Sequence, residues 1–537
     1  MPRCGKLSIT MPAELKRENA LKVNMNSSLK TPAKCLSILG TGSDVGKSVA
    51  VAALCRIFND LGLRVAPFKA QNMSNNSFVT LQGGEMGRAQ VVQAESARVP
   101  IHVDMNPILL KPSSDTGAQV VVHGKPMGNR EAADYFNDTN YLFDMAKNSL
   151  NRLRSIYDLI VMEGAGSCAE VNLFNRDFVN FRMASFADAP VIIVADIDRG
   201  GVFAQIIGTL EVIPPEYQRR VKGFIINRFR GDASLFKDGI DYIQNRTGIP
   251  VLGLIPYYHH IEIDSEDGLP LDIVVDPPGR PEREKINIAV LRLPHISNFT
   301  DFAPLCREPS VLLHYLSKPR PIEEYDVIIL PGSKNVRADL AWMRQNDWDA
   351  RLSGYVNGGG RIVGICGGYQ MLGSAIYDPH GVEGNPGETR GLGLLNAKTI
   401  LHREKILFRS SGVWAANGIA VEGYEIHMGV TELISDVLPV IRITSRNGDT
   451  VDHPDGAGTC DGAVWGTYLH GLFDLHLFRH SFLKEINPRI LLHINEIVTT
   501  NGAAFKERQY DLLAEHFRTN LDMEKLRKIV GLEFQFI

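Results

Sequence analysis

The segment that most constrains this chain is Gly40-Thr-Gly-Ser-Asp-Val-Gly-Lys-Ser48. It lies between an apolar run, Cys35-Leu-Ser-Ile-Leu39, and an amphipathic stretch from Val49 to Phe58. Strand, glycine-rich turn and helix in that order make a phosphate loop. The glycines let backbone N–H groups turn inward onto phosphate oxygens, and the helix N-terminus adds its dipole. Lys47 is placed to reach the β- and γ-phosphates of ATP, and Ser48 to set a hydroxyl on Mg²⁺. Gly40, Gly42 and Gly46 would shape the loop. Its spelling is shifted, because the first glycine of the usual motif, counted back from Gly46, falls at Thr41.

The remainder of the first half agrees with this reading. Short runs such as Arg64-Val-Ala66, Asp158-Leu-Ile-Val-Met162, Pro190-Val-Ile-Ile-Val-Ala195 and Val221-Lys-Gly-Phe-Ile-Ile226 alternate with amphipathic stretches. Such runs are strands buried on both faces of a parallel sheet. The proline-rich stretch Asp276–Glu284 reads as a linker. A second alternation then begins with Ile286–Leu291, Val327–Leu330 and Arg361–Val363, with a late strand near Ala463–Trp465. The expected fold is therefore α/β in two domains. A disordered tail (1–34) precedes a P-loop domain (35–265), a linker (266–285), a second α/β domain (286–485) and C-terminal helices (486–537).

Composition narrows the function classes. The 537 residues are 44% hydrophobic and 22% charged, with a formal net charge of −4. That gives no electrostatic case for nucleic acid or an anionic membrane. No apolar stretch is long enough to span a bilayer. Seven cysteines without paired spacing point away from a disulfide framework and toward a reducing, cytoplasmic setting. The tail lacks the apolar segment of a secretory signal.

A phosphate loop needs a carboxylate for its metal at the end of a neighbouring buried strand. Glu163, followed by Gly-Ala-Gly166, stands in that place, and Asp196 is a further strand-end carboxylate. A second chemical centre begins at Gly364-Ile-Cys-Gly-Gly368, between a strand and the helical run Tyr369–Leu372. A strand-to-helix turn with glycine on both sides forces its central residue into a tight, exposed conformation suited to a nucleophile. A thiol at a helix N-terminus is one that can act so, and Cys366 is that thiol. Its base should be a histidine distant in sequence, and His470, in Trp465-Gly-Thr-Tyr-Leu-His470, ends a predicted strand. Backbone N–H groups of Gly367 and of Gly332 or Ser333 would form the oxyanion hole. Elsewhere, Tyr258–Asp264 has metal-ligand residue types without a metal-ligand frame. Glu425 and His427 share one strand face and either line a cleft or are solvated.

These motifs carry resemblances. The phosphate loop resembles the dethiobiotin-synthetase-like branch of P-loop proteins, in which an acidic residue, here Asp44, lies inside the loop. Partitioning ATPases carry a second lysine where this chain has Gly42. By the same likeness Asn227 would contact the base, and Asp44, Ser48 and Glu163 would serve the metal. Residues 286–480 resemble the class I glutamine amidotransferase domain, with one departure: Leu472 stands where most members have an acid, so no third catalytic residue carries over.

Taken together, residues 36–530 resemble the cobyrinate amidotransferase family. Lys69-Ala-Gln-Asn-Met-Ser-Asn-Asn76, Gly84-Glu-Met-Gly-Arg-Ala-Gln90, Asp196-Ile-Asp-Arg-Gly-Gly201, the Cys366 turn and Tyr468-Leu-His-Gly-Leu-Phe473 follow in the family's order. The resemblance implies glutamine-derived ammonia joined, with ATP, to the b, d, e and g carboxylates of adenosylcobyrinic acid a,c-diamide. Lys69, Gln71, Asn72, Asn75, Asn76, Arg88 and Gln90 would then contact the corrinoid. The sister activity at the a and c carboxylates, and a P-loop switch with an inactive glutaminase domain, are the alternative readings.

Overall fold

A computed structural model describes residues 32–112, 117–131, 139–264, 276, 282, 284–489 and 502–532. The expected tail, apart from its last residues, and most of the expected linker lie outside the described residues. The first half is built on six parallel strands. From one edge they run Val251–Pro256, Val221–Phe229, Val191–Asp196, Lys34–Gly40, Leu159–Glu163 and Val65–Phe68. The Lys34–Gly40 strand is central and buried after its first residue, with neighbours on either side that end in Asp196 and Glu163. Chain order reverses beside it, and in open α/β sheets a ligand site lies outside the strand ends at such a point.

Helix Lys47–Asp60 leaves the phosphate loop through Gly46, whose φ of +95° no residue with a side chain adopts without strain. Its inward face carries small residues, Ala50, Ala52 and Ala53, all fully buried. This lets the helix Gly502–Asn520, near the C-terminus, pack against it. A side sheet of Gln71–Met73, Ile108–Pro112, Gly117–Val122 and Lys125–Glu131, with the hairpin Ser77–Val79/Glu85–Gly87, reaches toward the second half.

The second half has its own sheet: Val311–Leu316, Ile286–Leu291, Val327–Leu330, Arg361–Ile365 and Val464–Thr467 run parallel, with two short antiparallel strands beyond. Against it lies a largely antiparallel sheet, announced in the sequence only by the strand face of Glu425 and His427. It is dominated by Ala397–Trp414 paired with Ala420–Leu433, and it takes in Leu469–His470 at one edge. Residues from Ala33 onward form one compact unit.

Candidate active site

Strand Arg361–Ile365 delivers Cys366 to the N-terminus of helix Gly367–Leu372 with φ +52° and ψ −106°, a left-handed conformation for a residue with a side chain. The turn tolerates no substituents around it. A Cβ on Gly368 would lie 2.0 Å from the Leu330 carbonyl oxygen, and one on Gly367 would lie 2.7 Å from the Ser333 nitrogen. The backbone of Gly332–Ser333 thus lies against Gly367, and Gly332 in turn lies close to the His470 ring, with a Cβ there only 3.1 Å from His470 Cε1.

His470 is 1% exposed, and the Tyr424 ring stacks on its imidazole at 5.2 Å. Its Nδ1 is 2.6 Å from Asp301 Oδ2, while the other oxygen of Asp301 accepts the Gly471 N–H at 3.0 Å. Burial alone would lower the pKa of the imidazole. The opposing charge of Asp301, the Cys366 sulfur and hydrogen bonds to both outweigh it, and the pKa rises to about 10. The structure therefore brings Cys366 and His470 together and adds a residue that sequence reasoning missed. Asp301 sits in the turn Phe299–Phe302, beyond the C-terminal end of strand Ile286–Leu291. Its only sequence signal was position, a carboxylate after the first strand of the same sheet that carries Cys366. Cys366 lines a cavity of about 60 Å³ with Ser333, Lys334, Gln370, Lys405 and His427 among its walls.

In the first half, Lys47 Nζ donates to the carbonyls of Gly42 and Gly166, both at 2.8 Å, which draws the lysine across the phosphate loop. Ser48 Oγ donates to Glu163 Oε1 at 2.8 Å. Glu163 is 2% exposed and also accepts Lys69 Nζ at 2.8 Å and the Gln93 amide. Two of the expected residues make other contacts here. Asp44, with φ +55°, is paired with Arg199 and Arg228 at 2.8 and 3.0 Å. Asn227 donates to the Val45 carbonyl at 2.9 Å and braces the loop from beneath Gly46. Asp196 holds Arg228 at 2.8 Å.

The residues expected to touch a corrinoid divide into two groups. Lys69, Asn72, Arg88 and Gln90 are buried and bonded internally: Lys69 to Glu163, Asn72 to Gln90, and Arg88 to Asp264 at 2.6 Å. Of these, Lys69 reaches the strand-end carboxylate that Ser48 also meets. Gln71, half-buried, opens the strand that pairs with Ile108–Pro112. Asn75 and Asn76 line a cleft of about 680 Å³ whose other walls include Arg292, Phe299, Lys318 and Trp342, from the second half. Of the weaker motifs, Asp264 is consumed by Arg88. Glu425 is buried against Arg446 and Ser410; burial pushes its carboxyl up, but His427 beside it, hydrogen bonds from Arg446 and Ser410 and the Arg446 charge outweigh it and bring the pKa down to about 2. His427 stacks on Tyr468 at 3.6 Å and lines the Cys366 cavity. Among the described residues, no group of three or more His, Cys, Asp or Glu side chains is placed to hold a metal, and no helix is long and apolar enough to cross a membrane.

Comparison with known proteins agrees with this division into halves. Residues 36–271 match the family of CobQ/CobB/MinD/ParA nucleotide binding domains, and residues 287–478 match the CobB/CobQ-like glutamine amidotransferase domain. The chain is 56% identical over 496 residues to the cobyric acid synthase of Chlorobium phaeobacteroides (strain BS1), covering 92% of this chain and 99% of that one. Identity is 54% over 497 residues to the cobyric acid synthase of Chlorobaculum tepidum, with 93% and 98% covered. It is 46% over 501 residues to that of Streptococcus sanguinis, with 93% and 99% covered.

Proposed function

The chain belongs to the cobyric acid synthase family, glutamine-hydrolysing amide ligases of cobalamin biosynthesis, and from that premise we propose how its residues divide the work. The observation that carries the proposal is the Cys366–His470–Asp301 constellation, on the same chain as a phosphate loop whose Ser48 meets a buried strand-end carboxylate. Cys366 Sγ attacks the carboxamide carbon of glutamine. The proton lost by the thiol resides on His470, which Asp301 orients and stabilises as imidazolium, and passes to the departing nitrogen. Backbone N–H groups of Gly367 and of the Gly332–Ser333 segment face the oxyanion. Water then releases glutamate from the thioester, with His470 as the base.

At the other site Lys47 and the loop N–H groups bind the phosphates of ATP and offset charge on the group being transferred. Ser48 Oγ and Glu163 are hard oxygen donors 2.8 Å apart, a set that fits Mg²⁺. When bound, the ion would neutralise β- and γ-phosphate oxygens. A corrinoid carboxylate takes the γ-phosphoryl group, ammonia displaces phosphate from the acyl phosphate, and an amide, ADP, phosphate and glutamate result. The acceptors are the b, d, e and g carboxylates of adenosylcobyrinic acid a,c-diamide. A reducing cytoplasm suits the free thiol.

Two variants test this division. Cys366→Ala should abolish amidation from glutamine and keep synthesis from added ammonia, whereas Lys47→Ala should lose both. Mass spectrometry of the corrinoid, following OH-to-NH₂ exchange, reads the outcome. Equal loss of both activities in a folded Cys366→Ala protein would overturn the two-site assignment.

A further inference from the structure

The cavity at Cys366 holds more ionisable groups than the thiol chemistry uses. Lys334 and Lys405 come from the second half of the chain and Lys111 from the side sheet of the first, and all three line the one space with Cys366. Buried Glu85, also from the first half, is shared by two of them: Lys111 at 2.6 Å and Lys405 at 2.6 Å. Lys334 instead donates to a neutral acceptor, the Gln119 amide oxygen at 3.1 Å. Glu383 lines the same cavity and accepts the Arg337 N–H at 3.0 Å through one oxygen. Ammonium groups drawn together out of water, with too few carboxylates between them, call for an anion.

We propose that this cavity reads the amino-acid head group of glutamine: Lys334 and Lys405 take the α-carboxylate and Glu383 takes the α-ammonium, while the carboxamide lies at Cys366. The inference rests on the reading of Cys366 as nucleophile and deepens it by naming what selects the substrate. The titration behaviour of the cavity is consistent with a receptor awaiting charge. Burial, and then repulsion from Lys405 and Lys111, bring Lys334 down to about 7, and burial likewise brings Lys405 down to about 8. Burial pushes Glu383 up to about 7. A ligand with a carboxylate and an ammonium offsets both costs at once. The competing anion, a corrinoid carboxylate, is disfavoured because the space is small and is shared with the thiol. Since Lys111 and Glu85 belong to the nucleotide-binding half, the head-group site is completed only where the two halves meet.

The test measures glutamine hydrolysis by the full-length enzyme with three substrates: L-glutamine, 4-aminobutanamide (no carboxylate) and glutaramate (no amine). Lys334→Met should lower kcat/KM for L-glutamine and glutaramate by about tenfold or more, through KM, and leave 4-aminobutanamide unchanged. Lys334→Arg should restore part of the loss. Glu383→Gln, an isosteric change that keeps an acceptor for Arg337, should affect L-glutamine and 4-aminobutanamide but spare glutaramate, and it serves alone if Lys334→Met does not fold. Equal losses on all three substrates would make these residues structural. No loss, or a rise confined to the KM of the corrinoid, would also overturn the assignment. Should Cys366→Ala still hydrolyse glutamine, the nucleophile reading fails instead, so the two failures are distinguishable.

Discussion

Asp301 lies 169 positions before the histidine that it holds, and this separation explains why the residue was not legible in the sequence. Cys366 could be read because its requirements are local: a strand, a turn without side chains and a helix. His470 could be read from its place at a strand end. An orienting carboxylate needs no fixed spacing, and Leu472, where most relatives of the domain carry an acid, directs attention to the wrong loop. At this scale Asp301→Asn is the informative change, since it keeps the shape and removes the charge. Glutamine hydrolysis should fall about 10²–10⁴-fold, while ammonia-dependent amidation persists. Parallel assays with the two nitrogen sources check it, and a loss shared by both would remove Asp301 from the thiol centre. The pair also predicts a pH dependence of stability. The folded-state pKa of His470 is raised from 6.5 to about 10, burial opposing and Asp301 prevailing. Its contribution is therefore complete below pH 6.5 and is lost as pH rises through about 10. Urea midpoints measured between about pH 6 and 10 should fall with pH more steeply in the parent than in Asp301→Asn.

Elements were legible where both faces are buried. Five of the six parallel strands of the first sheet are read as short apolar runs, buried because helices cover both sides; the sixth, Val251–Pro256, lies at the sheet edge, is only partly buried and was not read. The long antiparallel strands 397–414 and 420–433 were legible only around Glu425 and His427, which share one strand face. Burial along 420–433 does not keep a period of two, since Tyr424–His427 are all buried, and the exposed sequence His402-Arg-Glu404 interrupts the first strand where its register shifts between Leu401 and Ile406. Glycine spacing tests the turn at Cys366 as an element. Gly368→Ala would press a Cβ to 2.0 Å from a backbone oxygen of strand Val327–Leu330, which cannot swing aside. It should destabilise the protein by about 1–3 kcal/mol or more, as overpacking does. Gly354 lies in the exposed face of helix Trp348–Asn357, where an added methyl group would meet nothing within 4 Å. Gly354→Ala should stabilise by about 0.5–1 kcal/mol, the ordinary helix gain. Chemical denaturation of the two variants must give opposite signs, or the turn is less tightly packed than its geometry indicates.

For the molecule as a whole, the C-terminal helix ties the end of the chain to the nucleotide-binding half. The sequence placed helices over 486–537, but not their destination. Tyr510, Leu513, Ala514 and Phe517 pack among residues of helix Lys47–Asp60. Arg56, on that helix, is fully buried, with Glu507 at 2.8 Å, Asp511 at 3.6 Å and the Tyr510 ring 5.7 Å from its guanidinium carbon. Among the described residues its Nη1 has no hydrogen-bond partner. Such a cation is held at a cost, and the two ways of disturbing it should differ in sign. Glu507→Ala leaves the guanidinium buried with a weaker counter-charge. Because Glu507 is about half exposed (46%), water can replace part of what it supplied, so the loss should fall below the ~3–5 kcal/mol of a fully buried broken pair. Arg56→Met fills the same space without a charge to desolvate, and it should be neutral or stabilising by up to about 1–4 kcal/mol. The double variant should then lie near Arg56→Met alone, because Glu507 has no buried cation left to serve. Thermal denaturation of the three proteins decides the matter. If Arg56→Met proves the more damaging single change, the pair is a net source of cohesion between the chain's end and its phosphate-loop helix, and the argument from desolvation fails.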